Sequence, residues 1–416
     1  MSYQDTQRLV CQESLLVVGA STRSVAQSAA RIGRNVHTAD LFCDEDLRMV
    51  AASTSKVHSD DYPHAFLGIA KELPSTEFCY TGGLENYPAI IDRLQEYHRL
   101  AGNSGTIIQA IRDPFNLAII MRDAHVRFPD SHHSPEGLPL DGSFLAKQRN
   151  STGGRHVTSW NAHTPSNSST FWQKRIFGTP YAASFIMHHG QANILGISQQ
   201  LLGYSQNSHF PFAYHGSLTL QEDDVPPKLR QITQKCGALL AQQCGLLGAV
   251  GADFVVDQNG EPWMIEVNPR FTASMELHER TTQQSIVGQH LDACRKDPRL
   301  ARMQGGSPHH QNWIKTVLYT TSSFLVDKRI HAIWKNYQER WSTVDGGYPA
   351  LADIPIVDQT IRKGSPILTL FAKGCCPTEA ITNLQQRLSA LREHMRFISL
   401  PAGVASFPKH PDRCTA

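Results

Sequence analysis

The chain has 416 residues, 40% hydrophobic and 18% charged, enough apolar material for roughly two to four domains with buried cores. A formal net charge of +2, without a dense Lys/Arg run or an acidic block, excludes an extended nucleic-acid surface. No window approaches the roughly 18 uninterrupted apolar residues of a membrane span, so neither nucleic acid nor membrane is expected as a partner.

Residues 14–19 (SLLVVG) predict a strand, followed by a helical pattern through Ala26, Ala29, Ala30 and Ile32 and a second strand over 35–40 (NVHTAD). Strand, turn, helix and strand open a doubly wound α/β unit. No GxGxxG follows Gly19, so the lobe is Rossmann-like without a dinucleotide fingerprint. Arg23, at the start of that helix, is a candidate for binding an anionic substrate. Residues 78–81 predict a later strand, 87–100 a helix, and the stretch near 107–111 completes the lobe. Residues 126–143, with three prolines, read as a surface connection. Strand-like 143–147 then runs into the polar loop RNSTGGRH, and 171–177 and 181–187 predict two more strands. Pro226 and Pro227 start a helix whose apolar stripe is Leu229, Ile232, Cys236, Leu239 and Leu240, stopped by Gly245. After Gly305-Gly306 the pattern predicts aromatic strands near 313–325, a β-like stretch over 353–372 and a helix over 377–396, together a small α+β module.

Residues 250–257 and 262–267 are apolar strands around Asn259-Gly260, a strong hairpin signal. A two-residue loop sets Asp253 opposite Glu266, with Asn268 on the same face and Phe254–Ile265 and Val256–Trp263 paired on the other. Carboxylates opposed at roughly 5 Å repel by about 3 kcal/mol at an effective dielectric near 20. Either one acid is protonated or a cation lies between them. Three oxygen-bearing side chains suit Mg²⁺, which completes its shell with phosphate and water. The rival reading is a shifted register with both acids in solvent. Lys147, ahead of Ser151, Thr152, Gly153 and Gly154, supplies a point charge beside a loop whose small residues allow N–H groups to approach phosphate. The plainer alternative for that loop is an ordinary turn.

In order, FLAKQRNSTGGRH, FWQKRI and GADFVVDQNGEPWMIEVNPR resemble the ATP-grasp superfamily over about residues 107–280. The resemblance implies a Rossmann-like domain over 1–106, an ATP-grasp lid over 107–187 and core over 188–305, then the α+β module over 306–416. It implies ATP and Mg²⁺ as cofactors, with Mn²⁺ able to substitute. Lys147 and the loop Ser151, Thr152, Gly153 and Gly154 would contact the phosphates. Gln173, Lys174 and Ile176 would match the adenine-reading hinge. Asp253, Glu266 and Asn268 would hold the metal, and Arg270 would sit near the acyl phosphate or acceptor. Lys147 and Arg270 would be the catalytic cations, and Arg270 joins Arg23 as a substrate contact. One departure is the second lid lysine of many members. The region here, IRDPFNLAIIMRD, has none, leaving Arg112 as the available cation.

The implied activity is a carboxylate–amine ligase working through an acyl phosphate on small-molecule acids and amines. The chain is most similar to an ATP-grasp group associated with one-carbon carrier cofactor (methanopterin or methanofuran) synthesis, and broadly similar to tyramine–glutamate ligases, which suggests glutamate ligation. A bicarbonate-activating, biotin-carboxylase-like enzyme is the second reading. It is weakened because the family's glutamate position is Ser274, with Glu276 two residues on. A non-catalytic ATP-binding regulator is the third. The segment His209–His215, with Tyr204, Phe210, Phe212 and Tyr214, either stacks on an aromatic substrate or packs as a surface loop. Nine cysteines at irregular spacing, with no CxxC pair, read as reduced thiols. The opening MSYQDTQRLVCQES resembles no signal peptide, so a cytoplasmic location is expected, with a homodimer left open.

Overall fold

Continuous apolar runs such as Leu15–Val18 bury every side chain, which suits a strand covered on both faces in a parallel sheet. The computed structural model describes residues 13–203, 211–295, 311–342, 344–345 and 347–395. In the first lobe, strands Ser14–Val18, Asn35–Asp40, Ser53–Lys56, Glu77–Tyr80 and Arg99–Leu100 form a parallel sheet. The strand from 14 is central, flanked by those from 35 and 77. The chain therefore reverses direction of winding between the strands ending at Val18 and Tyr80. This places a crevice at their carboxyl ends, where ligands bind in open α/β sheets. Helix Pro88–Leu94 is shorter than the sequence predicts, because Arg99–Leu100 leaves it to pair with the sheet.

The lid is a four-stranded sheet of Ser131–His132, Thr170–Lys174, Phe144–Gln148 and Val157–Ser159. The eight-stranded core sheet begins with the hairpin Gly248–Asp257 and Pro262–Asn268. It continues through Gly178–His188, Gln191–Leu202 and Tyr214–Leu220 to Asn312–Tyr319, Pro366–Gly374 and Leu351–Ala352. Two sequence expectations change here. Strand Gly178–His188, assigned above to the lid, is hydrogen-bonded along its length to the strand carrying Asp253. The residues after 306 do not form a separate module either: Asn312–Tyr319 pairs with Tyr214–Leu220, extending the core sheet. In both cases the strand pattern is legible but its edge partner is not, because pairing is decided by non-local contacts. Helix Lys328–Ser342, absent from the sequence reading, joins helix Pro377–His394 in covering this end, with Trp334 and Leu384 fully buried. Helix Pro227–Gln243 follows its predicted stripe, and Gly245 with φ +63° ends it.

Candidate functional site

The hairpin shows how local geometry presents the acids. Asp257 N–H donates to Glu261 O (3.0 Å), and Asp257 Oδ1 accepts from the N–H groups of Asn259 and Glu261 (both 2.9 Å). The turn thus encloses three residues rather than two, with Gly260 at φ +75° supplying the left-handed position such a loop requires. The extra residue shifts the first pairs to Val256–Pro262 and Phe254–Met264, in place of the expected Val256–Trp263 and Phe254–Ile265. Met264 N–H leaves the ladder to donate to Arg127 O (2.9 Å), and a bulge at Ile265 restores the register. Beyond it Asp253 pairs with Glu266 and Gly251 with Asn268. Met264 is fully buried, while Ile265 and Glu266 turn to the cleft.

Asp253 Oδ1 accepts from Gln200 Nε2 (2.9 Å), and Asn268 Nδ2 donates to Asp253 Oδ2 (3.2 Å) and Glu266 Oε1 (3.4 Å). Burial and the neighbouring Glu266 hold the Asp253 carboxyl well above the ordinary range. For Glu266, burial acts upward, but Lys147, the hydrogen bond shared with Asp253, and Arg112 outweigh it and lower its pKa. The two carboxyls are thus shifted in opposite directions, Asp253 up and Glu266 down. Burial pushes the Lys147 ammonium down, opposed by Glu266 and Asp253. A hard divalent cation fits this donor set, because it would relieve the repulsion between two adjacent acids and find oxygen ligands on all three side chains. Asn268 Oδ1 accepts from Arg270 Nη2 (3.1 Å), so its amide would have to turn to offer oxygen to a metal. Among the described residues no group of three His, Cys, Asp or Glu is arranged around one point; the set consists of two acids and an amide.

Lys147 Nζ donates to Gln173 Oε1 (2.7 Å), and Gln173 Nε2 donates to Ser131 Oγ (3.2 Å). Gln173 thus orients the lysine. Lys174 is exposed, its N–H held by Asp130 O (2.8 Å), and Ile176 lines the cleft. The glycine loop is anchored from three sides. Arg112 Nη2 donates to Ser151 O (2.8 Å), Thr152 Oγ1 donates to Glu85 Oε1 (2.9 Å), and Tyr214 N–H donates to Gly153 O (3.0 Å). Gly154, at φ +71°, lies so close to Phe212 that an added Cβ would meet its carbonyl oxygen at 2.0 Å. Arg112 also donates to Glu85 O and Asn86 Oδ1; it clamps the loop to the first lobe.

Arg270 donates to Glu85 Oε1 (2.7 Å) and to Phe271 O (2.9 Å). Glu85, which follows Gly82-Gly83 at the carboxyl end of a lobe strand, escaped the sequence reading; the switch-point rule is the signal that could have found it. Gln200 was missed as well, being one polar residue in an otherwise ordinary strand. Arg23 lies apart from this group. Its N–H groups are spent on Asp353 (Nε 2.9 Å, Nη2 3.2 Å), Gln27 (3.2 Å) and both oxygens of Glu276, leaving no donor for an anionic substrate in this arrangement. Glu276 also takes Lys315 Nζ (3.1 Å). Despite burial, Arg23, Lys315 and Arg280 keep its carboxyl below the usual range, which unsuits it for proton transfer. Of the aromatic loop, Tyr204, His209 and Phe210 lie outside the described residues. Phe212 receives the Arg175 guanidinium over its ring at 5.3 Å, and Tyr214 begins a core strand.

These groups line one cleft of about 1430 Å³ between lobe, lid and core sheet. A single small-ligand pocket holds roughly 300–1,000 Å³, so the cleft has room for a nucleotide and a second substrate.

The fold is that of the ATP-grasp class. Residues 111–274 match the family model described as an ATP-grasp domain. No curated protein matches the chain by sequence. Among solved structures it resembles the biotin carboxylase domain dimer of Hydrogenobacter thermophilus 2-oxoglutarate carboxylase, determined with MgADP and bicarbonate. The TM-score is 0.65 at 14% identity, over 91% of this chain and 89% of that one. It also resembles the L-amino acid ligase of Bacillus licheniformis (0.64, 13%, 93% and 98%). A third is N5-carboxyaminoimidazole synthase of Aspergillus clavatus, determined with ADP and 5-aminoimidazole ribonucleotide (0.65, 12%, 91% and 99%). At these identities the likeness is one of fold. No helix among the described residues is long and apolar enough to cross a membrane.

Proposed function

We propose that the protein is an ATP-dependent carboxylate–amine ligase. The observation that carries this reading is the convergence of Asp253, Glu266, Lys147 and Arg270 on one cleft, beneath a glycine loop docked against the first lobe. A carboxylate oxygen would attack the γ-phosphorus of ATP and ADP would leave. An amine nitrogen would then attack the acyl carbon, losing a proton as phosphate departs. Asp253, Glu266 and Asn268 would hold Mg²⁺, or Mn²⁺ in its place, which supplies charge neutralisation on the phosphates. Lys147, held by Gln173, adds a fixed positive charge for the phosphates. Gly153 and Gly154 let the backbone approach them, and Gln173, Lys174 and Ile176 border the nucleotide's base. Arg270, steadied by Glu85, faces the acyl group, where developing negative charge is stabilised most effectively by preorganised donors.

The saturated ion pairs of Glu276 favour this reading over bicarbonate activation. Glutamate is the acid we propose, in the synthesis of a one-carbon carrier cofactor, in the cytoplasm and with a homodimer as the assembly to examine by sedimentation. The test is ADP release from Mg–ATP by the full chain against paired acids and amines, glutamate among them. Acid- and amine-dependent ADP with an amide product is expected. ADP release dependent on bicarbonate alone, or tight ATP binding without turnover on any pair, would overturn it.

A further inference from the structure

The strand Asn35–Asp40 is followed at the cleft by three acids, Asp44 and then Glu45 and Asp46 in the short helix Glu45–Arg48. Two of them dock the C-terminal segment. Asp46 accepts from the N–H groups of Asp353 (3.1 Å) and Ile354 (2.9 Å), and Glu45 pairs with His331. Asp353 faces the same region at φ +56°, its carboxylate held by Arg23 and by Thr369 Oγ1 (2.6 Å).

Asp44 differs from all of these. It is 4% exposed and lines the cleft, yet among the described residues no N–H or O–H donates to its carboxylate. It precedes the short helix Glu45–Arg48 without capping it. Arg23, the cation whose charge reaches it, has its donors committed to Asp353, Gln27 and Glu276. Burial, together with Asp353, Asp46 and Asp40, holds the Asp44 carboxyl well above its ordinary range.

The Asp44 carboxyl meets only the cleft, without a protein donor among the described residues and amid other acids, and such an uncompensated acid is costly and is concentrated where function needs the group. The missing partner is a positively charged hydrogen-bond donor. A metal ion fits poorly, because no three ligating side chains surround one point among the described residues. An ammonium brings three N–H donors and no fixed coordination geometry, so Asp44 can take one of them while the others meet water in the open cleft.

We infer that Asp44, with Asp353 beside it, forms a subsite for a protonated amine carried by one of the substrates. A protonated nitrogen has no lone pair for attack, so this amine is a recognition handle separate from the reacting group. The substrate class is then an acid or amine bearing a second, cationic nitrogen. The inference deepens the ligase reading and rests on it, but the subsite is testable without turnover.

The experiment is equilibrium binding of putrescine, ethanolamine and glycinamide, with butane-1,4-diol as the uncharged match for putrescine. Wild type, Asp44→Asn and the exposed control Asp123→Asn are compared at low ionic strength. At least one amine should bind wild type and the control alike, and Asp44→Asn at least about tenfold more weakly, as losing a charged hydrogen bond predicts; the diol should not bind. Asp44→Asn should melt at the same or a higher temperature without ligand, which separates lost binding from misfolding. Binding that ignores Asp44, no binding of any of the amines, or saturation by KCl instead would overturn the subsite. Amine binding with no ADP release on any pair would sink the ligase reading and leave the subsite standing.

Discussion

Asp253 and Glu266 face each other on adjacent antiparallel strands because two irregularities cancel. A three-residue turn displaces the register by one, and the bulge at Ile265 displaces it back. The bulge also sends Met264 into the core and leaves Ile265 and Glu266 on the cleft, the kind of re-aiming for which bulges are placed beside sites.

Glu266→Gln should abolish magnesium-dependent nucleotide binding, with ADP release reduced at least about a hundredfold. Removing one of two opposed acids relieves repulsion, so thermal unfolding should be unchanged or shifted upward. Calorimetric titration with Mg–ATP beside a melting curve reads both, and retained binding would defeat the metal assignment.

The raised Asp253 carboxyl makes a pH prediction. Its native form keeps a proton that the unfolded chain has lost, so its stability contribution is present below the unfolded pKa and disappears as pH rises through the native value. In metal-free protein, Asp253→Asn should therefore be increasingly stabilised over wild type as pH rises above the usual aspartate range. Magnesium should shrink that difference. Parallel denaturant titrations at several pH values check this.

His290 gives the opposite sign. Its Nδ1 accepts from Ala249 N–H (2.8 Å) while Nε2 donates to Ala101 O (3.0 Å), and burial lowers its pKa to about 4 from 6.5. A depressed histidine favours folding above the unfolded pKa, and this contribution is lost as pH falls from 6.5 toward 4. Up to about 3 kcal/mol is at stake. Titration of the imidazole by NMR should find it neutral at pH 6; a charged ring there would contradict the tautomer.

Thr152→Val removes the tether between the glycine loop and Glu85 while keeping the side-chain volume. Expected is a nucleotide KM raised about three- to tenfold, with faster protease cleavage near residues 150–156 and an unchanged melting temperature. Gly154→Ala should be more severe, because its Cβ meets backbone rather than a movable side chain. An unaltered KM in both variants would show that the docked loop is irrelevant to nucleotide.

Much of this was legible in the sequence. The α/β lobe was announced by its buried apolar runs, and the pairing of Asp253 with Glu266 followed from hairpin arithmetic. That arithmetic reached the right pair through a turn that is one residue too short, since neither the third loop residue nor the bulge leaves a periodic trace. The contact of Met264 with Arg127 that fixes the bulge spans more than a hundred positions.

The set of elements and the acids on the hairpin are therefore written locally in the chain, because side-chain alternation and turn chemistry are local properties. Tertiary structure alone decided which cations are available. Arg23 has a helix-start position that suggests an anion site, yet Asp353 and Glu276, more than 250 residues away, consume its donors. Among the described residues the same packing leaves Asp44 without a donor. Charge compensation depends on which side chains the fold brings together, and no local pattern records it.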